Sequence, residues 1–371
     1  MARIEALYRL RVAAAEARAL ARAIAVELTV EVPEAILARS PAIERDIVAR
    51  IEDLREVAPG RQELHLSFSP ELAAGGLPQL LNLLSGNASM LPGVELVDAE
   101  LPAELIAQFP GPRHGIPGIR RRAGARARPL VATALKPRGA TLEALAATAE
   151  SFARGGGDLI KDDHNLVEGS FDRYAERVLR IRDAILHGSG AAGRASHPTI
   201  YLALLAGPLP EVERRLRFLE REGIDGALVA PGLLGLEGTR ALLAGTDRIV
   251  MTHPSLSGPP AGGPIAPSFL HGVLHRLLGA DAAVFVNHGG RFPISREECL
   301  AIAEQCRRPR DAWPATFPVP AGGMRFDRID AMADDFGGDT IFLIGGDLLV
   351  REEGIEAGTR AFVERVSARF P

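Results

Sequence analysis

Residues 128–139 read RPLVATALKPRG, and residues 155–165 read GGGDLIKDDHN. Each stretch is a run of apolar residues that ends abruptly in charged ones, and a helical pattern from Leu142 to Arg154 separates the two. A buried strand, a helix and a second buried strand form the repeating unit of a parallel sheet that is covered on both faces. The two stretches therefore predict neighbouring parallel strands whose charged ends lie at the same edge of the sheet.

The same alternation continues through the rest of the chain. Eight apolar runs predict strands, at Pro129–Pro137, Asp158–Asp163, Pro198–Gly207, Gly226–Pro231, Arg248–Ser255, Ala282–Gly290, Pro314–Gly322 and Thr340–Gly346. Helical patterns between them cover Leu142–Arg154, Asp172–His187, Glu211–Glu222, Arg296–Arg307 and Phe326–Phe336. Eight such units in about 245 residues fit an α/β fold of the (β/α)8 TIM-barrel type, whose usual size is ~250 residues. An open doubly wound sheet is the alternative, but no GxGxxG follows the first strand.

Residues 1–125 follow a different pattern and predict a small α+β domain in front of a barrel formed by residues 126–371. The elements expected there are strands at Ala6–Val12 and Arg61–Ser69 and helices at Glu16–Leu28 and Leu77–Leu84. In the second of these strands, apolar and polar residues alternate, as they do in a strand with one buried face. The segment Phe109–Gly118 is rich in proline and glycine and predicts a linker.

Composition excludes several classes of protein. The 371 residues are 47% hydrophobic with a net charge of -4, which is typical of a globular chain with no reason to bind nucleic acid. No stretch approaches the ~20 apolar residues of a membrane span, and the N-terminus lacks the features of a signal peptide, so we expect a cytoplasmic protein. Cys299 and Cys306 form neither a metal-binding nor a disulfide pattern. The basic run Arg113–Arg128 predicts a solvated or subunit-contacting linker.

Only two of the 43 basic residues are lysines, Lys136 and Lys161, so the other 41 are arginines. Both lysines lie at the C-terminal ends of the first two predicted barrel strands, where the active sites of such barrels form. Arginine keeps its charge at cellular pH, whereas a lysine with a lowered pKa can act as a base or a nucleophile. A lysine that merely pairs with an aspartate is the alternative, but arginine would serve that purpose at least as well. We therefore predict catalytic roles for both lysines.

The second strand ends in Lys161-Asp162-Asp163-His164. Alternation along a strand sends Lys161 and Asp163 to one face, and Asp162 and His164 to the other, until the strand breaks. Two carboxylates and an imidazole could hold a divalent cation, since Mg²⁺ prefers oxygen ligands and a histidine also suits Mn²⁺ or another transition metal. The alternative is a group of helix-capping aspartates beside a surface histidine.

Glycine pairs close the last two predicted strands, at Gly322-Gly323 and Gly345-Gly346. In (β/α)8 barrels the loops at these positions often offer backbone N–H groups to a phosphate. A single glycine pair is equally well explained as a plain turn. Two pairs on neighbouring strand ends favour a phosphate site.

These segments, with FPGPRHGI at residues 109–116, resemble the large subunit of ribulose-bisphosphate carboxylase (RuBisCO). The similarity runs through nearly the whole chain and includes Ser85-Gly86-Asn87 and the Gly-Gly-Asp of residues 345–347. The resemblance implies the barrel with its α+β domain, a sugar-phosphate substrate, a metal centre, and a homodimer whose active sites are shared between subunits.

The resemblance also implies roles for individual residues. Lys136 would be the base that enolises the substrate, and Lys161 would react with CO₂ to form a carbamate. That carbamate, Asp163 and His164 would hold Mg²⁺ or Mn²⁺, and the catalytic His253 would lie near the substrate. The remaining substrate-binding residues that it implies are Glu27, Asn87, Arg138, Arg291, Gly322, Gly323, Gly345 and Gly346. Glu27 and Asn87 would reach the active site of the partner subunit.

Several features of the carboxylases are missing. Residues 288–292 read HGGRF, without the lysine that closes over the attacking CO₂. Pro254 stands where the carboxylases have a phosphate-binding arginine, and Arg138 stands where they have a second lysine. His164 takes the place of a glutamate that binds the metal, and Val32-Pro33 takes the place of a threonine and a tryptophan at the other phosphate site. Loss of an electrostatic stabiliser raises the barrier of the step that it served by several kcal/mol. The chain therefore resembles the non-carboxylating, form IV RuBisCO-like proteins.

Within that group, the histidine of residues 161–164 resembles the branch that contains isomerases of 5-methylthioribulose 1-phosphate, rather than the 2,3-diketo-5-methylthiopentyl-1-phosphate enolases. We therefore expect an enzyme that enolises and isomerises a phosphorylated ketose. An alternative is cleavage of a C–C bond, by decarboxylation or by transcarboxylation and hydrolysis, in a 3-oxo sugar-acid phosphate such as 3-oxo-isoapionate 4-phosphate. A catalytically silent metabolite-binding protein is an alternative of another class, against which the two retained lysines argue.

Overall fold

The structure is a computed structural model that describes residues 2–258, 262–310 and 313–370. The chain forms two compact units, Met1–Phe109 with Gly258–Leu274, and Pro110–Ser257 with His275–Pro371. The first unit thus ends at Phe109 and takes in one later segment, Gly258–Leu274. The domain boundary predicted after residue 125 stays a prediction.

The first unit is built on an antiparallel sheet of four strands in the order β2-β3-β1-β4. These strands are β1 (Ile4–Leu10), β2 (Arg50–Ala58), β3 (Arg61–Phe68) and β4 (Val94–Glu100). In β3, Leu64, Leu66 and Phe68 are buried, which confirms the predicted alternation. Strand β2 was not predicted. This edge strand is exposed along nearly all of its length, so its sequence has no buried apolar face by which a strand could be recognised.

Short helices complete the first unit. They are α1 (Ala14–Glu27), α2 (Glu34–Leu37), α3 (Pro41–Asp46), α4 (Gly76–Leu84) and α5 (Ala103–Ile106), with 3₁₀ turns at Pro70–Ala73 and Asn87–Met90 and a π-helix at Ser268–Leu274. The later segment joins this unit through the sheet edge. Leu96 of β4 donates to the carbonyl of Pro264 at 2.9 Å and accepts from the N–H of Ala266 at 2.8 Å.

The second unit contains a closed barrel of eight parallel strands. They are β5 (Leu130–Leu135), β6 (Leu159–Asp162), β7 (Ile200–Leu205), β8 (Gly226–Val229), β9 (Ile249–Thr252), β10 (Ala282–Val286), β11 (Phe317–Ala321) and β12 (Ile341–Ile344). Each of the eight predicted apolar runs contains one of these strands. The predicted α/β architecture, a (β/α)8 barrel with a small α+β domain, is therefore confirmed.

Helices surround the barrel strands in sequence. They are α6 (Gly115–Ala123), α7 (Leu142–Arg154), α8 (Phe171–Ala191), α9 (Leu209–Arg221), α10 (Pro231–Leu234), α11 (Leu236–Leu243), α12 (His275–Leu277), α13 (Arg296–Arg307), α14 (Ile329–Phe336), α15 (Gly346–Leu349) and α16 (Gly354–Arg369), with a 3₁₀ turn at Phe326–Arg328. Helices α7 and α13 have the predicted bounds, and α7 starts where the Thr141 hydroxyl accepts from the N–H of Ala144. No helix among the described residues is both long and apolar enough to cross a membrane.

Alternation along the barrel strands separates two layers of core. In β6, Leu159 belongs to the cluster shared with inward residues of other strands, whereas Ile160 packs in the layer that contains the surrounding helices. Because successive side chains of a strand point to opposite faces, Lys161 shares the inner face with Leu159, and Asp162 the outer face with Ile160. This register decides which charged side chains reach the end of the barrel interior.

The prediction of a solvated linker is wrong for the helical part of the basic run Arg113–Arg128, whereas its alternative, contact with another subunit, and the linker at Phe109–Gly118 stay predictions. Residues 115–123 form helix α6, in which Ile116 and Ile119 are buried against the barrel strands. Arg120 donates to the carbonyl of Gly338 at 2.8 Å and pairs with Asp339. The run gave the pattern of a surface feature because the carboxylate partners of Arg120 and Arg122, Asp339 and Asp225, lie more than a hundred residues away in sequence.

Candidate active site

Lys161 is buried at the C-terminal end of β6, with 3% of its surface exposed. Its Nζ donates to the backbone carbonyl of Asp162 at 3.0 Å. Burial, and then the positive charge of Lys136, lower the pKa of Lys161 to about 8, although Asp163 and Asp162 act in the opposite direction. A substantial fraction of this amine is therefore neutral near pH 8, the form that can react as a nucleophile.

Lys136 follows the end of β5 and meets Asp163, which follows the end of β6. Nζ of Lys136 lies 2.7 Å from Oδ2 of Asp163, and the lysine side chain is 41% exposed. Asp163 also accepts from the N–H of Asn165 at 3.0 Å. These two hydrogen bonds outweigh burial and hold the pKa of Asp163 at about 2. The structure thus brings both lysines and this carboxylate together.

Asp162 takes no part in this group, because it points to the outer face of β6. Its Oδ2 accepts from Arg177 at 2.7 Å and from the N–H of Leu204 at 2.7 Å, and its Oδ1 accepts from the Tyr201 hydroxyl at 2.9 Å. Arg177 also pairs with Glu168. Three hydrogen bonds and complete burial on the outer face, away from Asp163, assign this carboxylate a structural role. Of the two aspartates considered as ligands from sequence, only Asp163 is available.

His164 lies on the same side as Asp163, since the strand has ended and alternation no longer applies. Its Nδ1 is 3.5 Å from Oδ1 of Asp163, and its ring stacks on that of His253 with centroids 4.3 Å apart. Burial lowers the pKa of both histidines, and lowers that of His253 to about 3. Both imidazoles are therefore neutral at physiological pH. The N–H of Ser255 donates to Nδ1 of His253 at 3.3 Å, which leaves Nε2 of that ring to carry the proton.

Among the described residues, no group of three or more His, Cys, Asp or Glu side chains could hold a metal ion. Asp163 and His164 supply one oxygen and one nitrogen donor, so a third protein donor must come from elsewhere. The buried Lys161, with its lowered pKa, can supply it if its neutral amine adds CO₂ and becomes an anionic carbamate. The donor set then fits Mg²⁺ or Mn²⁺.

The two glycine pairs present unused backbone donors at the ends of β11 and β12. The N–H groups of Gly323, Gly345 and Gly346 have no hydrogen-bond acceptor among the described residues, whereas Gly322 continues the ladder between β11 and β12. Gly322 has φ +92° and Gly323 has φ +70°, a conformation that favours glycine. Free N–H groups of successive residues in such turns form concavities that bind anions.

The other residues predicted to bind substrate are not among the contacts described so far. Arg138 is exposed beyond the end of β5, and the exposed Arg291 stacks on Phe292 in the loop after β10. Glu27 and Asn87 belong to the first unit, where Nδ2 of Asn87 donates to Oε1 of Glu27 at 2.9 Å. A hydrogen bond between these two residues agrees with a shared role, and which active site they serve stays a prediction.

Sequence reasoning missed the side chains that support the site. Arg177 could not be distinguished among 41 arginines, because its significance depends on Asp162 and Tyr201, which belong to other elements of the fold. Tyr201 could have been noticed, since it is one of three tyrosines and its polar group falls inside a predicted buried strand.

The fold and this group of side chains define a class of protein. It is a (β/α)8-barrel protein with two lysines, a carboxylate and two histidines at the C-terminal ends of its strands, and with glycine turns after two neighbouring strands.

Comparison with known proteins agrees with this class and specifies the family. Residues 115–254 match the family "Ribulose bisphosphate carboxylase large chain, catalytic domain". The chain is 38% identical to ribulose bisphosphate carboxylase-like protein 1 of Rhodopseudomonas palustris, over 99% of this chain and 98% of the relative. It is also 38% identical to the 5-methylthioribulose-1-phosphate isomerase of Rhodospirillum rubrum, over 98% of this chain and 96% of the relative.

A solved structure gives the same result in three dimensions. The crystal structure of a Rubisco-like protein from Rhodopseudomonas palustris superposes with a TM-score of 0.88 at 37% identity, covering 100% of this chain and 99% of that one. The chain belongs to the RuBisCO large-chain family, among its RuBisCO-like proteins, which confirms the resemblance seen in the sequence.

Proposed function

We propose that this protein is a metal-dependent isomerase of a phosphorylated ketose of the 5-methylthioribulose-1-phosphate type. The observation that carries the proposal is the convergence of Lys136, Lys161 and Asp163 at the ends of two adjacent barrel strands, with Nζ of Lys136 2.7 Å from Asp163. The 38% identity with an isomerase of that substrate, over nearly all of both chains, supports the choice of substrate.

Lys136 is the proposed base. Its ammonium is paired with Asp163 in this structure, and an ammonium has no lone pair to accept a proton. Lys136 must therefore leave Asp163 and lose its own proton before it can act. Its neutral amine then removes the proton from the carbon next to the ketose carbonyl, and the electron pair of that C–H bond moves into an enediolate. Return of a proton to a different carbon completes the isomerisation with no other reactant.

Three groups are proposed to hold Mg²⁺ or Mn²⁺: Asp163, His164 and the carbamate formed on Lys161. The bound cation would polarise the substrate carbonyl and so acidify the neighbouring C–H bond. His253 stays neutral because of burial, and its Nε2–H can donate a hydrogen bond to a substrate oxygen.

The glycine turns after β11 and β12 offer unused N–H groups to one phosphate. Arg138 and Arg291, exposed at the same ends of the barrel strands, are proposed to contact the substrate.

A carboxylase function is not supported by the residues present. The loop after β10 contains Arg291 but no lysine that could close over CO₂. A guanidinium stays charged and is broader than an ammonium, so it does not replace lysine at a closely fitted site. A single phosphate site also fits a monophosphate substrate rather than a bisphosphate.

We also propose a homodimer in the cytoplasm, in which Glu27 and Asn87 serve the partner's active site. The family resemblance supports this arrangement, and the Glu27–Asn87 hydrogen bond holds the two side chains as one unit. Mixing an inactive Lys136→Met protein with an inactive Asn87→Ala protein tests it. Shared sites should restore activity in the hybrid dimers, whereas self-contained sites would not.

The decisive experiment is to follow 5-methylthioribulose 1-phosphate in deuterated water, with Mg²⁺ and bicarbonate, by NMR spectroscopy. The proposal expects deuterium incorporation next to the carbonyl and an isomeric product of the same mass apart from that label. Release or transfer of a one-carbon unit from a 3-oxo sugar-acid phosphate would instead establish C–C cleavage. Binding of sugar phosphates without any proton exchange would establish a catalytically silent protein.

A further inference from the structure

Arg328 occupies an unusual position between the loops that follow β10 and β11. Its Nη1 lies 3.4 Å from the carbonyl oxygen of Gly289 and 3.3 Å from that of Gly323, and its Nη2 lies 3.3 Å from that of His288. One guanidinium thus joins the turn before Arg291 to the first glycine turn of the proposed phosphate site.

Arg328 differs from most arginines of this chain because it has no carboxylate partner among the described residues. Nearby Arg325, for comparison, pairs with Asp327 at the surface. The three hydrogen bonds of Arg328 are long, and they leave some of its five N–H donors unused. An unneutralised cation therefore stands beside the glycine turn.

The geometry shows how this cation acts on the turn. In a planar trans peptide, the C=O and N–H groups point in opposite directions. Because the carbonyl of Gly323 faces Arg328, the N–H of Met324 faces away from it, and that N–H donates to no described atom. The N–H of Gly323 also has no acceptor among the described residues. Arg328 therefore contacts the carbonyl side of the turn and leaves its donors free for an anion.

The two turns are built to admit this guanidinium. Gly289 has φ +70°, and a Cβ placed on it would lie 2.9 Å from Nη1 of Arg328. A Cβ on Gly323 would lie 3.2 Å from the carbonyl oxygen of Gly289. A second tether holds the same loop, since Asp335 of α14 lies 2.9 Å from Nε2 of His288 and also pairs with Arg296.

We propose that Arg328 is a positioning residue of the phosphate site. It draws the carbonyl groups of the β10 and β11 turns to one side, presents the opposing N–H groups to the substrate phosphate, and adds an uncompensated positive charge behind them. This inference rests on the proposed function only in requiring that the substrate carries a phosphate.

Calorimetric titration with inorganic phosphate tests the inference without any substrate. We expect Arg328→Gln to weaken phosphate binding at least tenfold. Arg328→Lys should restore only part of the affinity, because an ammonium cannot join three carbonyl groups as a planar guanidinium does. Arg325→Gln is the matched control and should bind phosphate like the wild type. Millimolar guanidinium ion should restore phosphate binding to Arg328→Ala, a result that a protein damaged in folding would not give.

Kinetics provide the second readout. With the sugar phosphate, Arg328→Gln should raise KM about as much as it weakens phosphate binding and change kcat less than threefold. Any one of three results would overturn the inference. They are wild-type affinity for phosphate in Arg328→Gln, failure of the wild type to bind phosphate, and a kinetic loss in Arg328→Gln that is confined to kcat. Weakened phosphate binding in a protein that never isomerises the ketose would reject the proposed substrate and leave the role of Arg328 intact.

Discussion

Nζ of Lys136 lies 2.7 Å from Oδ2 of Asp163, so the proposed base and a proposed metal ligand are paired with each other. Lys136 can act as a base only after this pair separates, because its Nζ is committed to the carboxylate. The pairing places Nζ at the end of the barrel strands, where the lysine side chain is 41% exposed.

Replacing Lys136 with methionine should abolish proton exchange while leaving the fold intact. A positioned general base typically contributes 10²–10⁴-fold to proton transfer, so we expect Lys136→Met to slow deuterium incorporation into the ketose phosphate by at least about 100-fold. Arg182→Gln, which removes an exposed arginine of α8, is the control and should exchange at the wild-type rate. Exchange at the wild-type rate in Lys136→Met would reject Lys136 as the base.

Activation by CO₂ should depend on the protonation of Lys161. Its pKa is lowered to about 8 by burial, so the neutral amine predominates above pH 8 and declines below it. At a constant concentration of dissolved CO₂, the rate of activation with Mg²⁺ should therefore rise nearly tenfold per pH unit from pH 6 towards 8 and level off above. Lys161→Arg keeps the charge but cannot form the carbamate, and it should show no CO₂-dependent activation. Chelation of the metal should reverse activation in the wild type.

The buried Asp162–Arg177 pair should contribute strongly to stability. Both side chains are at least 95% buried and lie 2.7 Å apart, and removing one member of such a pair typically costs about 3–5 kcal/mol. We expect Asp162→Asn to lower the free energy of unfolding by several kcal/mol, measured with denaturant. Arg177→Met should also lower the free energy of unfolding, because it leaves both Asp162 and Glu168 without this partner. Asp183→Asn, which breaks the exposed pair with Arg182, should change stability by no more than about 1 kcal/mol.

Stability should fall in mild acid because of His271. Burial lowers the pKa of this histidine to about 4, whereas an unfolded histidine titrates near 6.5. Between these values the unfolded chain binds more protons than the folded one, so stability is lost as pH falls from about 6.5 to 4, by up to roughly 3 kcal/mol. His271→Gln should make this part of the curve less steep, and the remaining slope should persist because burial lowers the pKa of His253 as well. An unaltered slope in His271→Gln would contradict the assignment.

Local pattern predicted the barrel because each strand is an apolar run bounded by polar or glycine residues, and each run needs only its own residues to be recognised. The same reasoning placed both lysines at strand ends. It failed at β2, where Arg50–Ala58 pairs along the sheet edge with nearly every side chain exposed. A strand that buries no face leaves no alternation in the sequence.

Short segments of the sequence were enough to predict the barrel and to place Lys136, Lys161 and Asp163 at one end of it, because burial and strand period are local properties. Which of the charged groups is free for chemistry depends on contacts that form only in the folded chain. Asp162 is used by Arg177 and Tyr201, whereas Asp163 faces the two lysines. Those partners come from different strands and helices, so the pairing energies that separate a structural carboxylate from a reactive one exist only after the chain has folded.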